Sequence, residues 1–145
     1  MVKFFSKEEE ATIVAAIQQA ELATSGEIRV HVEVGADAPA LNVAKRIFNQ
    51  LGMNKTADRN GVLILLEVDR REFAIIGDEG IDKFVPADFW ESERDLMQSH
   101  FRKGEFARGI ELAIGQVGEK LKKYFPYQED DVNELPDTIS YGGKP

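Results

Sequence analysis

The sequence contains no cysteine among its 145 residues, which excludes disulfide bonds, thiolate metal sites and cysteine nucleophiles. It also lacks an apolar stretch that approaches the ~20 residues needed to span a bilayer. The segment from Met1 to Phe5 has neither a long apolar core nor a small-residue cleavage site, so it does not resemble a signal peptide. From these absences we expect a soluble, cytoplasmic protein with no membrane insertion.

Positive charge is scarce in this chain, which has 18 lysines and arginines against 26 aspartates and glutamates, for a net charge of -8. Nucleic acid backbones and anionic membranes are therefore unfavourable partners, and cations are favoured ones. The glycine-rich phosphate-binding loops and the Gly-x-Ser-x-Gly element of many hydrolases are absent as well. Composition thus favours a cation as partner and no nucleic acid.

Two stretches near the middle of the chain predict strands. Val62 to Val68 is apolar except for Glu67, and a strand that is apolar on both faces suits the centre of a sheet covered on two sides. Only the polar residues Asp69-Arg70, followed by Arg71, separate it from a second strand, Glu72 to Ile76. So short a connection predicts a tight antiparallel hairpin.

An earlier strand, Glu27 to Val34, alternates strictly between apolar and polar residues. Its polar face carries Glu27, Arg29, His31 and Glu33. One dry and one wet face predict a strand at the edge of the sheet. A helical stripe from Leu41 to Leu51 connects it to the Val62 strand, and such a crossover makes the two strands parallel.

Three further helices flank these strands. A capping box, Ser6-Lys7-Glu8-Glu9, begins one that runs to about Ala23, another begins at Pro86, and the last runs from Phe106 to Tyr124. The fold class is therefore α/β, a three-layer α/β/α sandwich whose small mixed sheet combines a parallel crossover with an antiparallel hairpin. We expect one domain over residues 1–126 and an acidic, loosely ordered C-terminal tail over residues 127–145.

This topology brings three segments that contain glycines and polar residues to one end of the sheet, namely residues 25–27, 58–61 and 77–80. Carboxylate and carbonyl oxygens on irregular backbone are the ligands that Ca²⁺ and Mg²⁺ require. The candidate ligands are Asp78, Glu79, Asp82, Asp88, Glu27 and Asp58. The residues expected to line the same site are Gly26, Arg59, Asn60, Gly77 and Gly80.

Each of these residues also has an ordinary structural interpretation. Glycines serve turns, Asp78 or Asp82 caps a helix, and Arg59 neutralises a neighbouring aspartate. The opposite end of the sheet, with Gly35, Asp37 and the turn at residues 69–71, is a rival location, because ligands of open parallel sheets usually lie beyond the carboxyl ends of the strands. Two arginines in that turn are able to hold an anion, but exposed arginines in a hairpin turn are more often simply solvated.

Several segments, taken in order, resemble the TPM domain family, which is named for plant thylakoid lumen and related bacterial proteins. They are Ser-Gly-Glu-Ile-Arg-Val at 25–30, Arg-Asn-Gly-Val-Leu-Ile at 59–64, Gly-Asp-Glu-Gly-Ile at 77–81 and Val-Pro-Ala-Asp-Phe-Trp at 85–90. The resemblance covers about residues 5–126 and is to soluble, bacterial-type members. It implies an α/β/α sandwich, a divalent-cation site and, for plant members, an acid phosphatase activity.

Two functions follow as hypotheses. The first is a binding or interaction module that holds a divalent cation, Ca²⁺ or Mg²⁺, at the glycine- and carboxylate-rich end of the sheet, with an unidentified protein as a further partner. The alternative is a metal-dependent acid phosphatase acting on phosphomonoesters, in which the ion would polarise the phosphate and activate water. The sequence offers no evident nucleophile or phosphate cradle, and no catalytic residue is assigned, so we favour the first.

Overall fold

The computed structural model of the protein describes residues 4–128 and 133–143. Within these residues the helices are α1 (Lys7–Glu21), α2 (Ala40–Gln50), α3 (Glu79–Asp82), α4 (Glu91–Arg102) and α5 (Phe106–Tyr124). The strands are β1 (Glu27–Val34), β2 (Gly61–Glu67), β3 (Glu72–Gly77) and β4 (Ser140–Gly143), and a short 3-10 turn, Met53–Lys55, follows α2. None of these helices is long and apolar enough to cross a bilayer.

The strands form one mixed sheet in the order β3-β2-β1-β4. β1 runs parallel to β2, with Glu27 opposite Gly61, and β2 runs antiparallel to β3, with Val62 opposite Gly77. Every residue of β2 is buried, because the strand lies between two layers of helices. The three-layer sandwich, the parallel crossover and the antiparallel hairpin are therefore confirmed.

The two faces of the sheet carry separate apolar cores. On one face, alternate residues of β1 and β2 pack with the apolar sides of α1, α4 and α5. On the other face, Leu63 and Leu65 pack beneath α2. Since side chains of a strand alternate between faces, β2 supplies both cores at once, which is why its sequence is apolar almost throughout.

Local signals set the ends of several helices. The capping box is confirmed, because the backbone N–H of Glu9 donates to Ser6 Oγ at 3.1 Å and that of Ser6 donates to Glu9 Oε1 at 2.9 Å. The helix expected to begin at Pro86 begins instead at Glu91. Residues 86–90 form turns there, with the backbone N–H of Phe89 bonded to the carbonyl of Pro86.

β1 does not lie at the edge of the described sheet, so that expectation is wrong. β4 pairs with it in parallel, with His31 opposite Ser140. The polar face of β1 is also not solvated: Glu27, His31 and Glu33 are only 3%, 3% and 5% exposed. The physical reason is that the C-terminal segment lies against this edge of the sheet and supplies hydrogen-bonding partners in place of water.

The segment of residues 133–143, hereafter the C-terminal strap, differs from the loosely ordered tail that the sequence predicted. Leu135 is buried in the core beneath α2, and the hydroxyl of Tyr141 donates a hydrogen bond to the carboxylate of Glu10 in α1. Residues 129–132 and 144–145 of the expected tail lie outside the described residues. The domain boundary at residue 126 stays a prediction.

The burial of β2 predicts a large cost for truncating its side chains. Leu63→Ala and Leu65→Ala should each lower the free energy of unfolding by ~2–5 kcal/mol, because both side chains are fully buried. Urea denaturation measures this. The matched control is Leu22→Ala, at a leucine that is 66% exposed, which should stay within about 0.5 kcal/mol of the wild type. Costs well below 1 kcal/mol at both core sites would contradict the central position of β2.

The docking of the C-terminal strap predicts that β4 contributes to stability. A protein that ends at residue 138 lacks β4 and should melt at least ~4 °C below the full chain, because it loses the strand pairing and the contact of Tyr141 with α1. Differential scanning calorimetry measures the change. A protein that ends after Gly143 keeps β4 and serves as the control. Equal melting temperatures for all three proteins would show that β4 adds nothing to the folded state.

Candidate functional site

The three segments expected to meet at one end of the sheet do meet. The backbone N–H of Glu27 donates to the carbonyl of Asn60 at 3.3 Å, and that of Asp78 donates to the carbonyl of Gly61 at 2.9 Å. The side-chain amide of Asn60 reaches Ser25 Oγ at 3.4 Å. The strand register produces this convergence, because β1 and β2 begin at this end of the sheet and β3 finishes there.

Arg59 holds the two acidic residues that follow β3. Its Nε and Nη2 donate to the two carboxylate oxygens of Asp78 at 2.7 and 2.9 Å, and its Nη1 donates to Glu79 Oε1 at 2.9 Å. Asp78 is also the N-cap of α3, because its Oδ1 accepts the backbone N–H of Glu79 at 2.7 Å. Both oxygens of Asp78 are therefore engaged within the protein.

The backbone around this ion pair tolerates little change. Arg59 has a φ of 50°, in the left-handed region that non-glycine residues rarely adopt. A Cβ atom placed on Gly80 would collide with the carbonyl oxygens of Asp58 and Arg59. A glycine is therefore required at position 80, and the close approach it permits fixes the start of α3 against the segment before β2.

The remaining predicted ligands are less closely grouped. Asp58, Asp82 and Asp88 are exposed. Partial desolvation of the Asp82 carboxyl and the charge of Asp78 raise the pKa of Asp82. Among residues 4–128 and 133–143, no group of three or more acidic or histidine side chains is arranged to hold a metal ion. The arrangement around Arg59 does not fit an ion, because the guanidinium occupies the oxygens that would bind it. The assignment of these residues as ligands stays a prediction.

A second group of carboxyls, hereafter the Glu27 cluster, lies where the C-terminal strap crosses the start of β1. It comprises Glu21, Glu27, Glu134 and Asp137. Glu27 Oε1 accepts the backbone N–H of Leu135 at 2.7 Å, and the side chain of Glu21 is hydrogen-bonded to Asp137. Acidic side chains from α1, β1 and the strap thereby lie at one end of the sheet. The carboxylate of Glu134 accepts the backbone N–H of Ala57 at 3.2 Å, and its charge still acts on Glu27.

Two carboxyls of the Glu27 cluster have raised pKa values. Burial raises the pKa of Glu21 to about 9, and the hydrogen bond and charge of Asp137 add to the rise. Burial also raises the pKa of Glu27 to about 7, with further increases from the charges of Glu134 and Asp137. In both cases the neighbouring charges that raise the pKa belong to other acidic side chains. Glu21 and Glu27 are thus crowded carboxyls that keep their protons to a higher pH than ordinary glutamates do.

A small cavity of about 190 Å³ adjoins the cluster. Its lining combines carboxyl, hydroxyl and amide side chains with the backbone of Gly26, and it consists of Glu21, Thr24, Ser25, Gly26, Glu27, Tyr127 and Asn133. The sequence pointed to Gly26 and Glu27 but not to Glu21, Glu134 or Asp137. Those three were missed because one lies at the end of a predicted helix and two in the predicted tail, with no local signal that they meet.

The opposite end of the sheet holds a row of glutamates. Glu33, Glu67 and Glu72 are register partners across β1, β2 and β3. Glu67 is fully buried, and neither of its carboxylate oxygens has a hydrogen-bond partner among the described residues. Arg70 pairs with Glu72 at 3.5 Å and lies 3.9 Å from Glu67, so it is committed to this row rather than to an external anion.

The chain is similar to one known protein family and to several solved structures. The TPM domain family matches residues 1–120. The NMR structure of BA42 protein from the psychrophilic bacterium Bizionia argentinensis is 44% identical, with a TM-score of 0.91 and coverage of 98% of each chain. The N-terminal domain of a P. gingivalis protein is 21% identical, with a TM-score of 0.68 over 86% of this chain and 82% of that one, a likeness of fold alone. No curated protein matches.

The raised pKa of Glu21 predicts a loss of stability as the pH rises. The ordinary value of 4.5 applies in the unfolded chain and about 9 in the folded protein, so the folded protein keeps a proton that the unfolded chain releases. Its contribution is fully present below about pH 4.5 and is lost as the pH rises towards about 9. The raised pKa of Glu27 adds to this loss of stability as the pH rises towards about 7. Glu21→Gln should therefore flatten the decline in the free energy of unfolding.

Urea denaturation at about pH 5, 7 and 9 measures this slope. Glu8→Gln, at an exposed position on the same helix, removes the same charge outside the cluster and should leave the slope as in the wild type. A slope that is equal in Glu21→Gln and the wild type would show that Glu21 does not bind its proton more tightly in the folded state.

Proposed function

Because the chain belongs to the TPM domain family, we propose that it is a divalent-cation-binding module that takes Ca²⁺ or Mg²⁺ at the Glu27 cluster. The observation that carries the proposal is the crowding of Glu21, Glu27 and Asp137 without a lysine or arginine among the described residues to offset their charge. A cation bound there would supply the positive charge that the cluster lacks. The net charge of -8 adds a long-range attraction for cations.

The chemistry of the donors fits a hard cation. Ca²⁺ takes six to eight oxygen ligands and Mg²⁺ takes six, from carboxylates, carbonyls, amides and water. Here carboxyls lie beside the hydroxyl of Ser25 and the amide of Asn133 around the same cavity. Since the described acidic side chains do not by themselves form a group of three ligands, the hydroxyl, amide and water oxygens would complete the coordination.

In the sequence, a run of acidic residues shortly precedes Asn133, one of the residues that line the cavity. Glu129, Asp130 and Asp131 are followed by Val132 and then by Asn133, which lines the cavity. Of these residues, only Asn133 belongs to the described part of the chain. The run supports a cation as the ligand, because like charges concentrated in one segment repel unless a cation offsets them.

A bound cation would stabilise the end of the sheet around Arg59 less than it would stabilise the Glu27 cluster. There the guanidinium already neutralises Asp78 and Glu79, with three donor-acceptor distances between 2.7 and 2.9 Å. An ion at that position would have to displace an arginine that is charged at all accessible pH values. Of the residues predicted as ligands from the sequence, Glu27 is therefore the one that we assign to the proposed site.

The phosphatase alternative finds no specific support in the geometry. None of the contacts described above, which lie in residues 4–128 and 133–143, assigns a nucleophile or a phosphate-binding group. Binding is accordingly the function that we propose, and the identity of any protein partner stays a prediction.

The proposal predicts a stability increase that depends on both the cation and the pH. Ca²⁺ or Mg²⁺ added to chelator-treated protein should raise the free energy of unfolding by ~2.7 kcal/mol at a hundredfold excess over the dissociation constant. The affinity should increase from about pH 6 to pH 8, because the ion competes with the protons of Glu21 and Glu27. Isothermal titration calorimetry in buffers of different ionisation enthalpy measures both the affinity and the protons released.

Matched variants locate the site. Glu27→Gln should abolish the response to the cation, whereas Asp78→Asn should keep it. Asp78→Asn should also weaken the cation-free protein by up to ~1 kcal/mol, because the asparagine still caps α3 but no longer carries the charge that pairs with Arg59. The reverse pattern, with the response lost in Asp78→Asn and kept in Glu27→Gln, would move the site to the Arg59 end. No heat in the wild type with either ion would overturn the proposal.

A further inference from the structure

We propose a second binding site, for a small amphipathic carboxylate, in the cavity between the β2–β3 hairpin, α4 and the start of α5. This cavity has a volume of about 560 Å³, which lies in the usual range for small-molecule sites. It is at the opposite end of the sheet from the Glu27 cluster, and it goes beyond the proposed cation binding. Its lining includes Phe4, Arg71, Phe73, Gln98, Phe101 and Arg102.

The floor of the cavity is aromatic. The ring centroids of Phe73 and Phe101 are 5.1 Å apart, as are those of Phe101 and Phe106, and Phe4 lies 5.3 Å from Phe106. All four rings are only partly buried. Contiguous, partly exposed aromatic surface favours an apolar ligand, and aromatic rings pack well edge to face against another ring.

The rim of the cavity is cationic. Arg71 and Arg102 are both exposed and line the cavity, together with the amide of Gln98. Neither arginine takes part in an ion pair between described residues, whereas Arg46, Arg59 and Arg70 each pair with a carboxylate. In a chain with an excess of acidic residues, two arginines without such a partner beside one apolar cavity favour an anion at this position.

The backbone of Arg71 gives an independent reason. Arg71 has a φ of 53°, and the only other non-glycine residue with a positive φ in the described ranges is Arg59. The ion pair with Asp78 offsets the strain at Arg59. Arg71 makes no corresponding ion pair with any residue that the structure describes, although glycine would occupy this turn position without strain. Non-glycine residues in such strained conformations cluster at functional sites.

One acidic residue, Glu67, also borders the cavity. Its side chain is fully buried, and burial raises its pKa, so it favours the neutral form more than an ordinary glutamate does. Glu67 lies next to Arg70 as well, which partly offsets any charge that it carries. The two exposed arginines therefore dominate the electrostatics at the opening, and the ligand that fits both features has an apolar body and one carboxylate.

The experiment titrates isotope-labelled protein with 4-phenylbutyrate and follows amide chemical shifts by NMR. The matched ligands are the neutral 4-phenylbutyramide and the cationic 4-phenylbutylamine. We expect shifts confined to the hairpin, α4 and the start of α5, with the carboxylate binding about tenfold more tightly than the amide, as one charge-assisted contact supplies. Equal affinities of acid and amide would overturn the assignment of an anion site.

Variants of the protein separate binding from folding. Arg71→Gly should raise the melting temperature, since glycine accepts the positive φ, while it weakens carboxylate binding about tenfold. Arg102→Gln should weaken binding similarly. Arg46→Gln removes the same charge on the α2 side of the sheet and should bind as the wild type does. Equal losses in all three variants, or shifts that map outside the cavity, would overturn the proposal without affecting the cation site.

Discussion

The parallel pairing of β1 with β2 is the interaction on which the rest of the structure depends. It places Glu27 beside Gly61 and Glu33 beside Glu67, and so determines which side chains meet at each end of the sheet. A shift of one residue would move every side chain of a strand to the other face. The apolar residues of β2 serve both cores, so they anchor the pairing, and the functional groups at the two ends follow from it.

The polar face of β1 imposes the next constraint. Buried polar groups require hydrogen-bond partners, which an apolar helix cannot supply. The C-terminal strap supplies them instead: Ser140 Oγ lies 2.7 Å from His31 Nδ1, and the backbone N–H of Leu135 lies 2.7 Å from Glu27 Oε1. His31 Nε2 in turn lies 2.7 Å from Glu33 Oε1. The strap is therefore a polar cover for β1, and the same contacts bring its acidic residues to the Glu27 cluster.

Features with local causes could be predicted from the sequence, and those with distant causes could not. The capping box at Ser6, the buried β2 strand and the hairpin after it depend on neighbouring residues and were predicted. The alternation of β1 indicated one apolar and one polar face, but it cannot distinguish water from a polar segment that covers the polar face. For the same reason the contact of Glu21 with Asp137 had no sequence signal. The pairing of Arg59 with an aspartate was foreseen only as one of two interpretations.

The two arginines in left-handed conformations show how the ends of the sheet differ. At one end Arg59 neutralises Asp78, so its strained backbone is offset by an internal ion pair, and the adjacent Glu27 cluster is left with acidic groups and no such arginine. At the other end Arg71 is equally strained but has no ion pair among the described residues. Charge that is unbalanced within the protein is available to a ligand. The two proposed sites therefore differ in the charge of their ligand, a cation at the first end of the sheet and an anion at the second.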